Sequence, residues 1–419
     1  MLRRPLALTV VASSALLFGL LAPVAAEAAP APSATAPASA RSHDVWVVSL
    51  GDSYISGEAG RWAGNESLTT DDIDALGRSA YWDAGDHESI PRCHRSESAA
   101  IHIGVVKSLN LACSGAITTT KFDSDGNFKP GIDFYRDGNR EGQALMLEDF
   151  AKDHTVKMVA LSIGGNDFRF AAIMERCIKD FLVPVLTPHC RDDATVNAYL
   201  SDEAAAKVRD DIRGAILRVA KAMEKAGYED SDWTLVMQKY PRPLPRSASM
   251  RYSSSGYERQ AMGGCGFRDG DLDWAADTAL PLINSTVGKA VSDARAERPT
   301  LQVTTLDTSM AFHQRTLCHK AVWRVQERGT FGGLKGPKDW RAPDAVDQSE
   351  WVMEVNVVNA GQTDQQESLH PNYWGQLALR NCYRQVWNDG DVRGGACVRD
   401  YDGGLNGRGE PNMRLAAGG

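Results

Sequence analysis

An α/β domain built on a mainly parallel sheet, with helices on both faces, is the fold class the sequence predicts. Three observations point to it. Short apolar runs at 45–50, 108–112, 157–163, 233–240 and 301–306 are separated by stretches with helical spacing. The runs are four to eight residues long and rich in Val, Leu or Ile, as candidate strands buried on both faces are. A glycine-containing polar tripeptide or tetrapeptide follows each of the first three, at the strand edge where open parallel sheets bind ligands.

The chain starts with Arg3 and Arg4, continues with an apolar run from Leu6 to Leu21 interrupted by Thr9, Ser13 and Ser14, and reaches Ala26-Glu27-Ala28, with small residues where a signal peptidase needs them. Residues 1–28 are therefore expected to be a signal peptide, and the run is too short for a membrane span. The Ala, Pro and Ser of 29–43 predict a flexible leader. Folding is expected to begin at Asp44 and to fill 44–390. Helical spacing covers 96–106, 141–152, 202–226 and 272–296, and a last helix follows Pro371, whose ring suits a first turn. The segments 57–92, 241–271 and 307–350 exceed ordinary connections and predict lids, binding walls or small subdomains. They hold Trp62, Trp82, Phe267, Trp323, Phe331, Trp340 and Trp351, either a wall for an apolar substrate or the cores of the insertions. The Gly-rich tail, 391–419, is expected to be irregular.

With 46 Lys+Arg against 54 Asp+Glu in 419 residues, the net charge of −8 argues against binding nucleic acid over the whole surface. No stretch after the signal peptide could span a membrane. The eight cysteines form no Cys-x-x-Cys pair and are read as disulfides of a secreted, extracellular protein. Pairing of sequential neighbours is expected, Cys93 with Cys113, Cys177 with Cys190, Cys265 with Cys318 and Cys382 with Cys397, each closing a local loop beside an element end. A monomer is expected.

Chemistry concentrates in four places. The first run ends in Gly51-Asp52-Ser53, which puts a serine at a strand's carboxyl end. The second leads into Cys113-Ser114-Gly115 and the third into Gly164-Gly165-Asn166-Asp167. Paired glycines allow close backbone approach, and an Asn amide can donate to a developing oxyanion. The fourth is Glu367-Ser368-Leu369-His370 before the last helix. A neutral imidazole is a suitable base for a serine, and a carboxylate three residues earlier can fix its tautomer. The other histidines, among them His94, His102, His189 and His319, are read as surface or structural groups, because none has metal-ligand spacing.

Taken in order, Gly51-Asp52-Ser53, Gly115, Gly164-Gly165-Asn166-Asp167 and His370 resemble the four blocks of the SGNH hydrolases, also called the GDSL lipase/esterase family. The phrases Gly51-Asp52-Ser53-Tyr54-Ile55-Ser56-Gly57-Glu58 and Leu111-Ala112-Cys113-Ser114-Gly115-Ala116 look like its secreted actinobacterial branch. The resemblance covers roughly 44–388. It implies a three-layer α/β/α domain with a five-stranded parallel sheet in flavodoxin-like order. It makes Ser53 the nucleophile, His370 the base, and Ser53 N–H, Gly115 N–H and Asn166 the oxyanion hole, with no cofactor and no metal. Tyr54 replaces the usual Leu, a side chain without chemistry. Glu367 stands where Asp is usual; either its side chain or a main-chain carbonyl completes the triad. The implied substrate is an ester, free or at a lipid surface, of a lipase, esterase or phospholipase. Alternatives are a carbohydrate acetyl or aryl esterase and, from a different class, a non-catalytic binding module.

Overall fold

The apolar run at 45–50 forms the centre of β1 (Ser42–Gly51), which starts earlier than Asp44. The other four runs form β2 (Lys107–Asn110), β3 (His154–Ser162), β4 (Thr234–Gln238) and β5 (Val303–Asp307). The computed structural model describes residues 42–67, 70–183, 187–328, 332–356 and 366–417; the expected signal peptide, most of the leader and Phe331 lie outside them. All four contacts among these five strands are parallel, in the order β2-β1-β3-β4-β5.

Side-chain alternation along these strands feeds two cores, one on each face. Val47, Met158, Ala160 and Val236 enter one cluster, shared with the last helix. Val48, Leu50, Val159, Leu161, Leu235 and Met237 enter the other, shared with three helices. Those three are α2 (Gln143–Asp153), α4 (Asp202–Lys225) and α5 (Leu280–Glu297). Two further helices complete the frame that positions the site: α1, a single turn (Ser53–Ser56), and α3 (Phe170–Leu182). The last helix, α6 (Tyr373–Trp387), is capped by Asn372, whose side chain accepts from Gly375 N–H, so Pro371 precedes the cap rather than occupying the first turn.

Several expectations are corrected. The sheet has seven strands rather than five: β6 (Gly395–Arg399) adds parallel to β5, and β7 (Met413–Ala416) adds antiparallel to β6. Both come from the tail expected to be irregular, and Cys382–Cys397 staples β6 to α6. No helix forms over 96–106. There the Ser98 hydroxyl donates to Gly60 O and Ser98 N–H donates to Ser96 Oγ, while Ala99, Ala100, Ile101 and Ile103 are all buried, so tertiary contacts override the helical spacing. The helix expected over 272–296 is interrupted by a π turn (Ala275–Ala279) before α5. Pro281 in the first turn of α5 has no N–H to give to the preceding turn.

All eight cysteines pair as expected, in four sequential disulfides. No helix among the described residues is long and apolar enough to cross a membrane.

Candidate active site

β1 ends at Gly51, whose φ of 134° is open to glycine and whose hypothetical Cβ would fall 2.0 Å from Ser162 O. At this last paired residue of the strand, opposite Ser162, the buried Gln143 amide adds its own contacts. It accepts from Gly51 N–H at 2.7 Å and donates to Gly51 O at 2.9 Å. Asp52 then caps α1 by accepting from Tyr54 N–H, and Ser53 sits at the helix start, 6% exposed.

Ser53 Oγ lies 2.6 Å from His370 Nε2. That contact joins residues far apart in the chain. For Nε2 to accept the serine proton, the neutral ring carries its hydrogen on Nδ1. Burial holds the His370 pKa below the ordinary 6.5, so the ring is neutral at pH 7.

Two loops face Ser53. Gly115 has a φ of 79°, in the left-handed region, and its loop is stapled by Cys93–Cys113 and by Ser114 N–H donating to Cys93 O at 3.0 Å. Asn166 follows β3 and donates from Nδ2 to Ala116 O at 2.9 Å, which fixes the plane of its amide and leaves one N–H. The Ser53 and Gly115 backbone N–H groups donate to no protein acceptor among the described residues. Asp167 locks the two loops together: its carboxylate accepts from Thr118 Oγ1 at 2.7 Å and from Thr118 N–H.

Glu367 is not where the expected triad carboxylate belongs. Its Oε1 accepts from Tyr81 Oη at 2.5 Å and its Oε2 from Trp62 Nε1 at 2.7 Å. Burial, reinforced by nearby Glu58, pushes its carboxyl up to about 7, so it is not a fixed anion at neutral pH. His370 Nδ1 makes no well-formed hydrogen bond among the described residues, although the main-chain carbonyls of Glu367 and Ser368 favour the protonated ring. The main-chain alternative fits this arrangement better than the Glu367 side chain does.

Three residues dismissed or passed over in the sequence belong to the site. Tyr54 Oη donates to Leu369 O at 3.1 Å, and its ring lies 4.9 Å from that of His370. Leu369 has a φ of 64°, which a leucine adopts only under constraint. Tyr240 Oη accepts from Gly165 N–H at 2.8 Å and donates to Asp52, tying the Asn166 loop to the serine turn; burial pushes the Asp52 carboxyl up to about 7. His94, read as surface or structural, is buried and pairs with Glu58 at 2.7 Å. The Tyr54 contact predicts that Tyr54→Phe lowers kcat about three- to tenfold with KM nearly unchanged, since about 1 kcal/mol of histidine positioning is lost. Steady-state kinetics on a soluble ester check this; a change in KM alone would count against it.

Among the described residues, Glu58, His94 and Glu367 bring possible ligand atoms within 4.8 Å of one another. Their hydrogen bonds to one another and to Tyr81 and Trp62 occupy those atoms, so the cluster does not suit a metal ion.

The serine and histidine open into a cavity of about 560 Å³. Its apolar wall comes from Phe170, Met174, Ile178 and Leu182 on α3 and from Pro243 and Leu280. α3 is absent from the sequence reading, although Ile173, Cys177, Ile178 and Phe181 carry a helical spacing. Among the described residues, the insertion aromatics do not line this cavity; of them, Phe267 alone reaches a smaller apolar pocket that adjoins it.

No family model matches the chain, and no curated protein sequence does. Among solved structures it is similar to an extracellular lipase from Streptomyces rimosus, with 18% identity over 83% of this chain and 99% of that one and a TM-score of 0.40. It is also similar to an active-site mutant of a family two carbohydrate esterase from Clostridium thermocellum, at 11% identity over 82% and 63% of the two chains and a TM-score of 0.34. A third is an aryl esterase from M. smegmatis, at 11% identity over 81% and 99% and a TM-score of 0.28.

Proposed function

We propose that this chain is a serine ester hydrolase of the SGNH type that takes acyl esters and works through an acyl-enzyme on Ser53. The observation that carries the reading is the 2.6 Å contact between Ser53 Oγ and His370 Nε2 at an apolar cavity that Gly115 and Asn166 also line. His370 Nε2 takes the Ser53 proton as Oγ bonds to the ester carbonyl carbon. The carbonyl oxygen becomes an oxyanion facing Ser53 N–H, Gly115 N–H and Asn166 Nδ2. As the bond to the leaving oxygen breaks, the imidazolium returns its proton to the departing alcohol. Water, deprotonated by the same imidazole, then releases the acid and frees Ser53.

The cavity's aliphatic and aromatic lining supports an acyl chain as the buried part of the substrate. This favours a lipase or esterase over a carbohydrate acetyl esterase, which has no chain to bury. Four disulfides that consume every cysteine support export to an oxidising compartment.

A series of p-nitrophenyl esters from acetyl to hexadecanoyl, with phosphatidylcholine alongside, tests the substrate class. Each buried methylene is worth about 0.8 kcal/mol, so kcat/KM is expected to climb several-fold per carbon until the cavity is filled. A series that peaks at acetyl would replace the acyl reading with the carbohydrate or aryl esterase. Hydrolysis of phosphatidylcholine would place the enzyme among phospholipases.

A further inference from the structure

Glu58 is a fully buried carboxylate that the mechanism above does not use. It follows Gly57, whose φ is 98° and whose hypothetical Cβ would fall 2.7 Å from Ser96 Cβ, so the chain dives beneath the site just past α1. One oxygen meets His94 Nδ1 at 2.7 Å. The other accepts from Gln366 Nε2 at 2.9 Å, and the Ser114 hydroxyl is near enough to the same carboxylate to help hold its pKa down. Gln366 opens the segment that carries His370, and Ser114 immediately precedes Gly115.

We infer that Glu58, rather than Glu367, is the carboxylate that serves His370: a positioning residue that ties the histidine segment to the oxyanion loop and balances the charge the imidazole acquires. The inference rests on the serine hydrolase reading and names a partner for its base. Glu58 suits the role in a way Glu367 does not. Burial alone would push its carboxyl up, but the charge and hydrogen bond of His94, with a smaller influence from His370, bring it down to about 2. It is a permanent anion. Among the charges acting on the His370 ring, Glu58 is the largest influence favouring the protonated form, and His94 opposes it more weakly.

The groups around Glu58 are mixed. His94, raised above its ordinary value by Glu58 against the effect of burial, also faces Glu88 at 3.6 Å from its other ring nitrogen. Tyr81 stacks on His94 with ring centres 4.4 Å apart and holds Glu367. The Lys129 ammonium, also within the electrostatic reach of Glu58, donates to Arg92 O, the carbonyl that Gln366 also meets. Removing the Glu58 charge takes away the anion with the largest influence on His370 and, with it, the main cause of the raised His94 pKa.

The test is the pH dependence of acylation by a fluorophosphonate in the full chain, for Glu58→Gln, Glu58→Asp and Glu367→Gln, with end-point labelling to count folded enzyme. In that step Oγ bonds to phosphorus, fluoride leaves and the serine proton goes to His370. Glu58→Gln is expected to slow the plateau about tenfold and move the acid limb to lower pH by about half a unit or more, because an imidazolium without its anion is harder to form. Glu58→Asp keeps the charge and restores the position of the limb. Glu367→Gln moves the limb by less than about 0.2 unit, since that carboxyl is no fixed anion. A folded Glu58→Gln whose limb stays put overturns the inference, whatever its rate, because slowing without the shift is only structural damage. Should Glu58→Gln fail to fold, Gln366→Met decides: it leaves both charges and cuts the tie, and acylation within about twofold of wild type overturns the inference. Failure of the wild type to label at Ser53 would instead refute the hydrolase reading itself.

Discussion

Replacing Ser53 with alanine is expected to lower ester hydrolysis by at least about 10⁴-fold, the scale on which serine hydrolases lose rate when the nucleophile is removed and only oxyanion stabilisation and binding remain. The fold should not suffer. Ser53 is a small side chain at the start of α1, and its neighbours are held by other groups: Asp52 caps the turn, and Gln143 satisfies both backbone groups of Gly51. KM should therefore stay close to the wild-type value while kcat collapses, and thermal unfolding should be nearly unchanged. Kinetics on a soluble p-nitrophenyl ester, with melting curves alongside, check this. A variant that keeps a tenth of its activity would mean that a different group attacks the ester.

The second large effect is expected at Asn166. Its Nδ2 spends one hydrogen on Ala116 O, and the other is the proposed oxyanion donor. Asn166→Ala removes one of three donors and should cost about 3 kcal/mol of transition-state stabilisation, a fall of about 10² in kcat with little change in KM. Asp167 keeps its bonds to Thr118 in this variant, so the Gly115 loop should remain in place. A loss smaller than about tenfold would show that the two backbone donors suffice and that Asn166 serves only to brace the Ala116 turn.

The core of the fold was legible because five apolar runs correspond to five parallel strands, and polar motifs after the first three mark one edge of the sheet. The edge strands β6 and β7 were not. Gly395–Arg399 and Met413–Ala416 are short and set among glycines and charges, and they exist because β5 offers an open edge and Cys397 reaches α6. The spacing at 96–106 misled for the opposite reason: its apolar residues are buried in turns, where Ser96 and Ser98 bond to the backbone of the chain or to each other.

Ser53, Gly115, Asn166 and His370 line one cavity, and each was legible as a candidate because it sits in a short motif beside a strand or helix end. The surroundings of Glu367 were not. Spacing of three residues says that Glu367 is near His370 along the chain; only the fold shows Trp62 and Tyr81 claiming its carboxylate. Tyr54 was discounted because its position carries no chemistry, yet its hydroxyl reaches across to Leu369. Glu58 and His94 are far enough apart in sequence that no motif joins them.

The central claim is that Ser53 is the activated nucleophile. Brief treatment of the wild-type chain with a fluorophosphonate, followed by digestion and mass mapping, tests it most directly. A single organophosphoryl adduct on the peptide containing Ser53, lost after denaturation before labelling and absent in Ser53→Ala, is the result predicted. Rapid labelling that maps to another serine, or that persists in Ser53→Ala, would contradict it.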